Sequence, residues 1–349
     1  MPPTDLTIRI ATRGSPLALA QAKLALDECR SAFPGRRFEL VIIRTSGDKL
    51  QTADLAKVEI SKGLFTKELE AALLGNDADL AVHSLKDLPT ELPAGLKLGA
   101  IGARADVRDV LLYRGRSSQP GSLAADWKPG HREARGFAPH LKVDKLPAGA
   151  TIATGSTRRE CQLKELRPDL RIAPIRGNVG TRLHKLAQTP EIDAIVLAAA
   201  GLERLQIKIH HSGQLEGPDV PDGLMASLLE PELVLPCAGQ AALGFEIRKG
   251  DALMDEICLK LDHMNTRQCV LAERAFLSEI GGGCLAPVAV YGRIMGHQIR
   301  LRAVSYLDGT PRRGEALRPV QQAEELGRQL AQQLSQPAGA PATARRNKN

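Results

Sequence analysis

The chain has 349 residues, 43% of them hydrophobic, 25% charged and only 3% aromatic, with a formal net charge of +7. That length fits two or three domains built on aliphatic cores, and so few rings argue against base-stacking surfaces for single-stranded nucleic acid. The charge is local: Arg114–Gly149 holds seven Lys/Arg against three Asp/Glu, the tail 336–349 adds three basic residues and no acid, and the remainder is balanced.

The start, MPPTDLTIRI, has no basic stretch leading into an apolar run, so no secretion signal is expected. Leu233–Phe245 and Ile280–Gly292 are uncharged or nearly so, but at thirteen residues each they fall short of the roughly 20 needed to cross a bilayer. Six cysteines (29, 161, 237, 258, 269, 284) show no CxxC pair and no metal-like spacing, which fits reduced thiols in the cytoplasm.

In chain order, Leu6–Ala11 alternates as a strand, and Ser15-Pro16 opens a helix to about Arg30, with Ser15 as N-cap and Pro16 first. Phe38–Thr45 reads as strand, Phe65–Leu74 as helix and Asp79–Val82 as a short buried strand, a βαβ pattern that predicts a mainly parallel sheet. The pattern restarts with strands Thr151–Thr154, Leu170–Ile175 and Ala194–Leu197 around helices Arg158–Leu166 and Val179–Ala187. IATRGS from Ile10 echoes IATGSTR from Ile152; this is either coincidence over a few residues or the trace of two similar lobes whose helix N-termini face one cleft. A third part has helices Ala252–Leu261 and Thr266–Ile280 (Thr266 as N-cap), strands Val288–Ile294 and Ile299–Tyr306 joined at Met295-Gly296-His297, and a helix near Val320–Leu334. The expected boundaries are 1–105 with 235–255 for the first lobe, 106–234 for the second, 256–335 for a small α+β domain, and a disordered tail 336–349.

Polar sets fall at strand ends and helix starts, where α/β proteins place their sites: Arg13-Gly14-Ser15, His83 to Asp87, Thr154 to Arg159, and Arg176 to Arg182. Guanidinium and ammonium groups beside small hydroxyls suit carboxylates or phosphates, each charge-assisted hydrogen bond contributing about 1.5–3 kcal/mol. Neither GxxxxGK[ST] nor GxGxxG after a strand is present, so a nucleotide cradle is unsupported. The competing reading for any one arginine is solvation or a nearby acid. Asp87 is an acid at the mouth of a basic site: a general acid and cation stabiliser, or a surface partner of Lys86. His83 reads as structural, and His210-His211 lacks a third metal ligand. Cys284 follows three glycines, which either make a plain turn or leave the sulfur open to a partner.

Together, IATRGSPLALAQA (from Ile10), LAKV (Leu55), KGLFTKELE (Lys62), DLAVHSLKDLP (Asp79), TRRECQL (Thr157), RGNVGTRL (Arg176), DAIVLAAAGLERL (Asp193), LPCAGQ (Leu235), LAERAF (Leu271) and GGC (Gly282) carry a resemblance. Over about Leu6–Leu334 the chain resembles the hydroxymethylbilane synthase, or porphobilinogen deaminase, family. The resemblance implies two lobes like periplasmic binding proteins around a cleft, plus a small domain presenting Cys284. It implies a monomeric cytoplasmic transferase that condenses four porphobilinogen molecules with loss of ammonia and releases 1-hydroxymethylbilane, with no nucleic-acid or membrane partner. A dipyrromethane cofactor would be thioether-linked to Cys284 as primer and held by Ser84, Lys86, Asp87, Thr154, Ser156, Arg158, Arg159 and Arg182. Asp87 would help expel ammonia and stabilise cationic pyrrole species, while Arg13, Ser15, Lys62, Phe65, Arg176 and Gln240 would bind the substrate's carboxylates and rings. The rival reading is a non-catalytic anion-binding protein on the same scaffold. The chain departs from the family's pattern in two inserts, around Arg114–Leu146 and Ile207–Leu228. It departs also in Ala241 where glycine is usual, in Leu285 where a polar residue is common, and in one extra residue between Lys57 and Lys62.

Overall fold

In the computed structural model, residues 6–45, 66–116, 134–281, 283 and 285–336 are described. The first strand, β1 (Thr7–Arg13), buries Ile8, Ile10 and Ala11. Ser15 then caps α1 (Pro16–Ala32), its hydroxyl accepting from the Ala18 amide at 3.4 Å, and Pro16 stands first, where a missing N–H leaves no bond unmade. There follow β2 (Arg37–Ile43), α2 (Lys67–Leu74), β3 (Leu80–Ser84) and β4 (Leu96–Ile101). The chain then crosses into β5 (Asp109–Arg114), β6 (Thr151–Ala153), α3 (Thr157–Leu166), β7 (Arg171–Ala173), α4 (Val179–Gln188), β8 (Ala194–Ala198) and α5 (Ala199–Arg204). A small hairpin of β9 (Lys208–Ile209) and β10 (Leu215–Glu216) precedes β11 (Leu224–Leu229), after which β12 (Leu243–Arg248) returns to the first sheet.

The two large sheets share one topology. The first runs β2-β1-β3-β12-β4, the second β7-β6-β8-β5-β11. In each, three strands pair in parallel, the fourth (β12 or β5) runs against them, and the edge strand beyond it (β4 or β11) runs with the first three again. The strands IATR and IAT that echo each other in sequence, β1 and β6, occupy the same second position, each leading to a helix capped by serine, Ser15 and Ser156. The echo is therefore structural. Each sheet thus has four strands running one way, as the βαβ pattern implies, and one reversed strand, β12 or β5, which lies in an apolar stretch whose periodicity does not distinguish strand from loop.

The third part is an antiparallel meander of β13 (Val288–Met295), β14 (Gln298–Ser305) and β15 (Arg312–Pro319), covered by two helices that follow α6 (Ala252–Leu261): α7 (Met264–Glu279) and α8 (Ala323–Ser335). The helices cross closely because Gly327 lacks a side chain; a Cβ there would sit 2.1 Å from the Ala272 carbonyl oxygen. Helix α7 starts earlier than the expected Thr266. His263 is the N-cap, its Nδ1 accepting from the Thr266 amide at 3.3 Å and lying 2.8 Å from the Thr266 hydroxyl, so threonine is buried in the first turn instead.

One buried ion pair ties the third part to the crossing that leaves the first sheet. Arg104, on the crossing from β4 to β5, makes a two-point contact with Glu273 of α7 at 2.7 and 3.0 Å and donates to the Gln240 carbonyl. Glu273, fully buried, also accepts from the Gly239 and Gly292 amides at 2.8 Å. Burial opposes the charge on Arg104, but Glu273 outweighs it and raises the arginine's pKa. Among the described residues, no helix is long and apolar enough to cross a membrane, and no cluster of His, Cys, Asp or Glu could hold a metal ion.

Candidate functional site

Three chain segments converge on a cavity of about 170 Å³. The first is the single 3₁₀ turn Leu85–Asp87 at the end of β3, which offers Lys86 and Asp87. Its shape is imposed from two sides. The Leu85 amide donates to the Ala242 carbonyl at 3.1 Å, and Gly239, at a φ of +68°, lets the backbone approach until a Cβ would lie 3.2 Å from the Leu85 carbonyl carbon. Just beyond Asp87, Arg274 of α7 donates to the carbonyls of Leu88 and Pro89 at 3.0 and 2.6 Å. Asp87 itself is exposed to solvent, and Lys86 is half-buried. Ser84, one residue earlier, exchanges hydrogen bonds with Gln21 of α1 at 2.7 and 3.1 Å.

The second segment is the start of α3. Ser156 caps it, accepting from the Arg159 amide at 3.5 Å, and the buried Thr154 hydroxyl accepts from the Ser156 amide at 3.2 Å. Arg158 and Arg159 are only 4% and 6% exposed, and both reach inward to Asp109, the first residue of β5. Arg158 Nη1 donates to Asp109 Oδ2 and Arg159 Nη2 to Oδ1, each at 2.8 Å, and Gln240 Nε2 adds a third bond to Oδ1 at 3.0 Å. Arg158 Nη1 also donates to Leu235 O at 2.6 Å, and Arg159 Nη1 to Val196 O at 2.9 Å. Among the described residues, the Nε–H of both arginines is buried without a hydrogen-bond partner. Burial works against ionisation of Asp109, but the two guanidiniums outweigh it and hold its carboxyl well below the usual range.

The third segment follows α7. Gly283 and Leu285, the chain neighbours of position 284, both line the cavity, and the Thr157 hydroxyl donates to the Leu285 carbonyl at 2.6 Å. Cys284, Lys62 and Phe65 lie outside the described residues. Cys237 and Gln240 close the floor, with the Cys237 thiol donating to Gln240 Oε1 at 3.4 Å.

Of the residues singled out in the sequence, Lys86, Asp87, Ser156, Arg158, Arg159 and Gln240 line this one cavity. Arg182 belongs to its electrostatic surroundings: burial lowers its pKa to about 10, Arg159 and Arg176 push the same way, and Asp87 opposes them. Arg182 Nε also donates to Gly177 O at 2.8 Å, which fixes the loop before α4, while Arg176 is exposed. Arg13, Ser15, Ser84, Thr154, Arg176 and Arg182 stand outside the lining itself. His83 is structural: buried, with Nε2 2.9 Å from Glu246 Oε2 across β3 and β12. Sequence reasoning missed Asp109, Arg274 and Gln21. Asp109 left one signal, an acid opening the fully apolar run Val110–Tyr113, which no solvent-facing aspartate needs.

Comparison with known proteins bears on most of the chain. Residues 8–256 match a family model described as porphobilinogen deaminase, dipyromethane cofactor binding domain, and residues 267–336 match the model of the porphobilinogen deaminase C-terminal domain. Among solved structures, the chain is similar to full-length CbnR in complex with target DNA (11% identity, TM-score 0.39, covering 73% of this chain and 68% of that one). It is also similar to the BenM effector binding domain with its effector benzoate (15% identity, TM-score 0.37, 73% and 90% covered). A third likeness is to the reduced form of the OxyR regulatory domain from Pseudomonas aeruginosa (9% identity, TM-score 0.36, 73% and 96% covered).

Proposed function

The chain belongs to the porphobilinogen deaminase family, transferases of tetrapyrrole biosynthesis with a dipyrromethane-binding domain, and we propose that it joins four porphobilinogen molecules head to tail and frees 1-hydroxymethylbilane by hydrolysis. The observation that carries this reading is the meeting of Lys86-Asp87, Arg158-Arg159 and the two neighbours of Cys284 in one cavity. The residues present fit the cofactor. Its carboxylates need buried donors, and the orphan Nε–H groups of Arg158 and Arg159 are such donors; its bulk needs room beside the attachment thiol, and glycine at 283 adds no side chain.

When bound, the dipyrromethane supplies the primer ring on which the chain of pyrroles grows. Arg158, Arg159 and Arg182 would hold its acetate and propionate groups, with Ser84, Lys86, Thr154 and Ser156 completing the contacts and Cys284 as the point of attachment. Arg13, Ser15, Lys62, Phe65, Arg176 and Gln240 would receive the incoming substrate. Asp87 is the catalytic acid of the proposal. Its carboxyl gives a proton to the substrate's amino group, so nitrogen leaves as ammonia with the C–N bonding pair. The resulting carboxylate then stabilises the carbocation-like pyrrole left behind, and it recovers a proton when the joined ring loses one to restore aromaticity. An exposed aspartate beside Lys86 and within electrostatic reach of Arg182 suits both roles, because substrate and ammonia must enter and leave through solvent.

The test is the intact mass of the purified protein. An addition of dipyrrole size is expected on the wild type and absent from Cys284→Ser. A folded wild type that turns over porphobilinogen with no added mass removes the primer assignment.

A further inference from the structure

A second, larger cavity of about 720 Å³ shares no lining residue with the first and has no part in the chemistry above. It lies in the second lobe between the segment 140–144, the hairpin residues 209–213, and the end of β11 with Leu233. Its volume falls in the range of roughly 300–1,000 Å³ typical of small-ligand sites. The floor is buried apolar surface, including Val143 and Leu229 at 2% and 3% exposure. The wall is apolar but open: Leu166, Leu228 and Leu233 are 39%, 37% and 40% exposed, three of the thirteen exposed large apolar side chains among the described residues. Three such leucines around one concavity form a wall that water covers poorly.

The polar rim has a sign. Both acids of the lining are paired, Glu230 with Arg108 at 2.7 Å and Asp144 with Lys145 at 3.4 Å. Arg167 is committed as well, to Asp169 and to the carbonyls of Val143, Asp144 and Leu146. His210 pairs with Glu216. That leaves Lys142, His140 and His211, which make no side-chain hydrogen bond or ion pair among the described residues. The unspent charge is therefore positive, over an apolar wall.

We propose that this cavity is a binding site for a small organic acid with an apolar body, its hydrocarbon against Leu166, Leu228 and Leu233 and its anionic group on Lys142. Arg108 and Glu230 connect the site to the crossings between the lobes, since Arg108 directly precedes Asp109. Ligand bound there contacts the same backbone that carries the Arg158-Arg159 anchor.

The test is fluorescence titration of the whole protein with anilinonaphthalene sulfonate, an aromatic anion that brightens in apolar sites, followed by displacement with octanoate or its neutral counterpart octanol. Saturable one-to-one binding is expected. Leu228→Asp and Lys142→Glu should each weaken it about tenfold or more, with thermal midpoints near that of the wild type because both side chains already meet water. Lys86→Ala, in the other cavity, should leave it unchanged, and octanoate should displace the probe at concentrations about tenfold lower than octanol. Binding that survives both second-lobe substitutions but is lost in Lys86→Ala overturns the proposal, and equal displacement by octanol overturns its anionic half. A wild type that binds no probe and runs as a dimer, made monomeric by Leu228→Asp, would assign the leucine wall to a second copy instead.

Discussion

Replacing Asp109 by asparagine tests the anchoring of the two arginines directly. The carboxylate is 1% exposed and accepts from Arg158, Arg159 and Gln240 at 2.8, 2.8 and 3.0 Å. Asparagine keeps one acceptor oxygen but turns an NH₂ toward a guanidinium, so two buried cations lose their counterion and one meets a donor. Removing one partner of a buried ion pair costs about 3–5 kcal/mol, which at roughly 2 °C per kcal/mol for a chain of this size is a fall of about 6–10 °C in the thermal midpoint. The pH profile adds a sign. The folded-state pKa of Asp109 lies below its unfolded value of about 3.9, so its contribution is complete above about pH 4 and is lost as pH falls through the lower, folded value. Wild type and Asp109→Asn should therefore differ most at neutral pH, with the gap beginning to narrow below about pH 4, as read by scanning calorimetry from about pH 7 to pH 3. A neutral-pH midpoint within about 2 °C of wild type would refute the reasoning, since the arginines would then have found other partners.

Asp87→Asn should leave the thermal midpoint within about 1–2 °C, because the side chain is exposed. It should lower turnover of porphobilinogen by about 10²–10⁴; near-normal rates would remove Asp87 from the chemistry. Gly239→Ala places a Cβ 3.2 Å from the Leu85 backbone in a left-handed conformation. It should cost about 1–3 kcal/mol and slow turnover by displacing the Leu85–Asp87 turn, as denaturation and kinetics together would show. Ala241→Gly should act the other way: Ala241 holds a φ of +70°, and relief of that strain, partly offset by the freer unfolded chain, is expected to stabilise by about 0.5 kcal/mol in denaturant unfolding.

Local signals were readable where one residue has one job. Ser15-Pro16 starts a helix whatever surrounds it, and the paired IAT strands mark the same position in two sheets of the same topology. Signals failed where the partner is distant. At α7, His263 competes with Thr266 for the cap, and propensity alone favours threonine. Strand β15 is RRGEALRP, with Arg313 and Glu315 on its exposed face but Arg312 and Arg318 on the other, and it pairs because β14 lies beside it rather than because its sequence alternates strongly. Strand β12 lies in an apolar run that could equally be loop or helix, and only its pairing with β3 and β4 makes it a strand. Arg274 reads as one more helix charge, although it holds the loop after Asp87 from a residue number 186 places away.

The same distance effect changes how the basic cleft should be counted. In sequence, Arg158 and Arg159 are two more cations among many, available to any anion. In the fold, Asp109 neutralises one of the two charges and spends one Nη of each arginine, so what remains toward the cavity is a fixed geometry, not a pool of free charge. Donors held in place need no reorganisation when they engage a carboxylate, and in a buried setting each is worth more than the same donor in water. Lys86 and Arg176 are the opposite case, half-buried and exposed, free to follow a moving group but paying side-chain entropy each time. On the proposed function these two kinds of cation divide the work. The pinned pair suits a cofactor that stays through every turnover, and the mobile cations suit the rings that are added and must shift along. Asp109 is then the residue that separates a permanent guest from a passing one, which is why its loss should reach cofactor loading as well as stability.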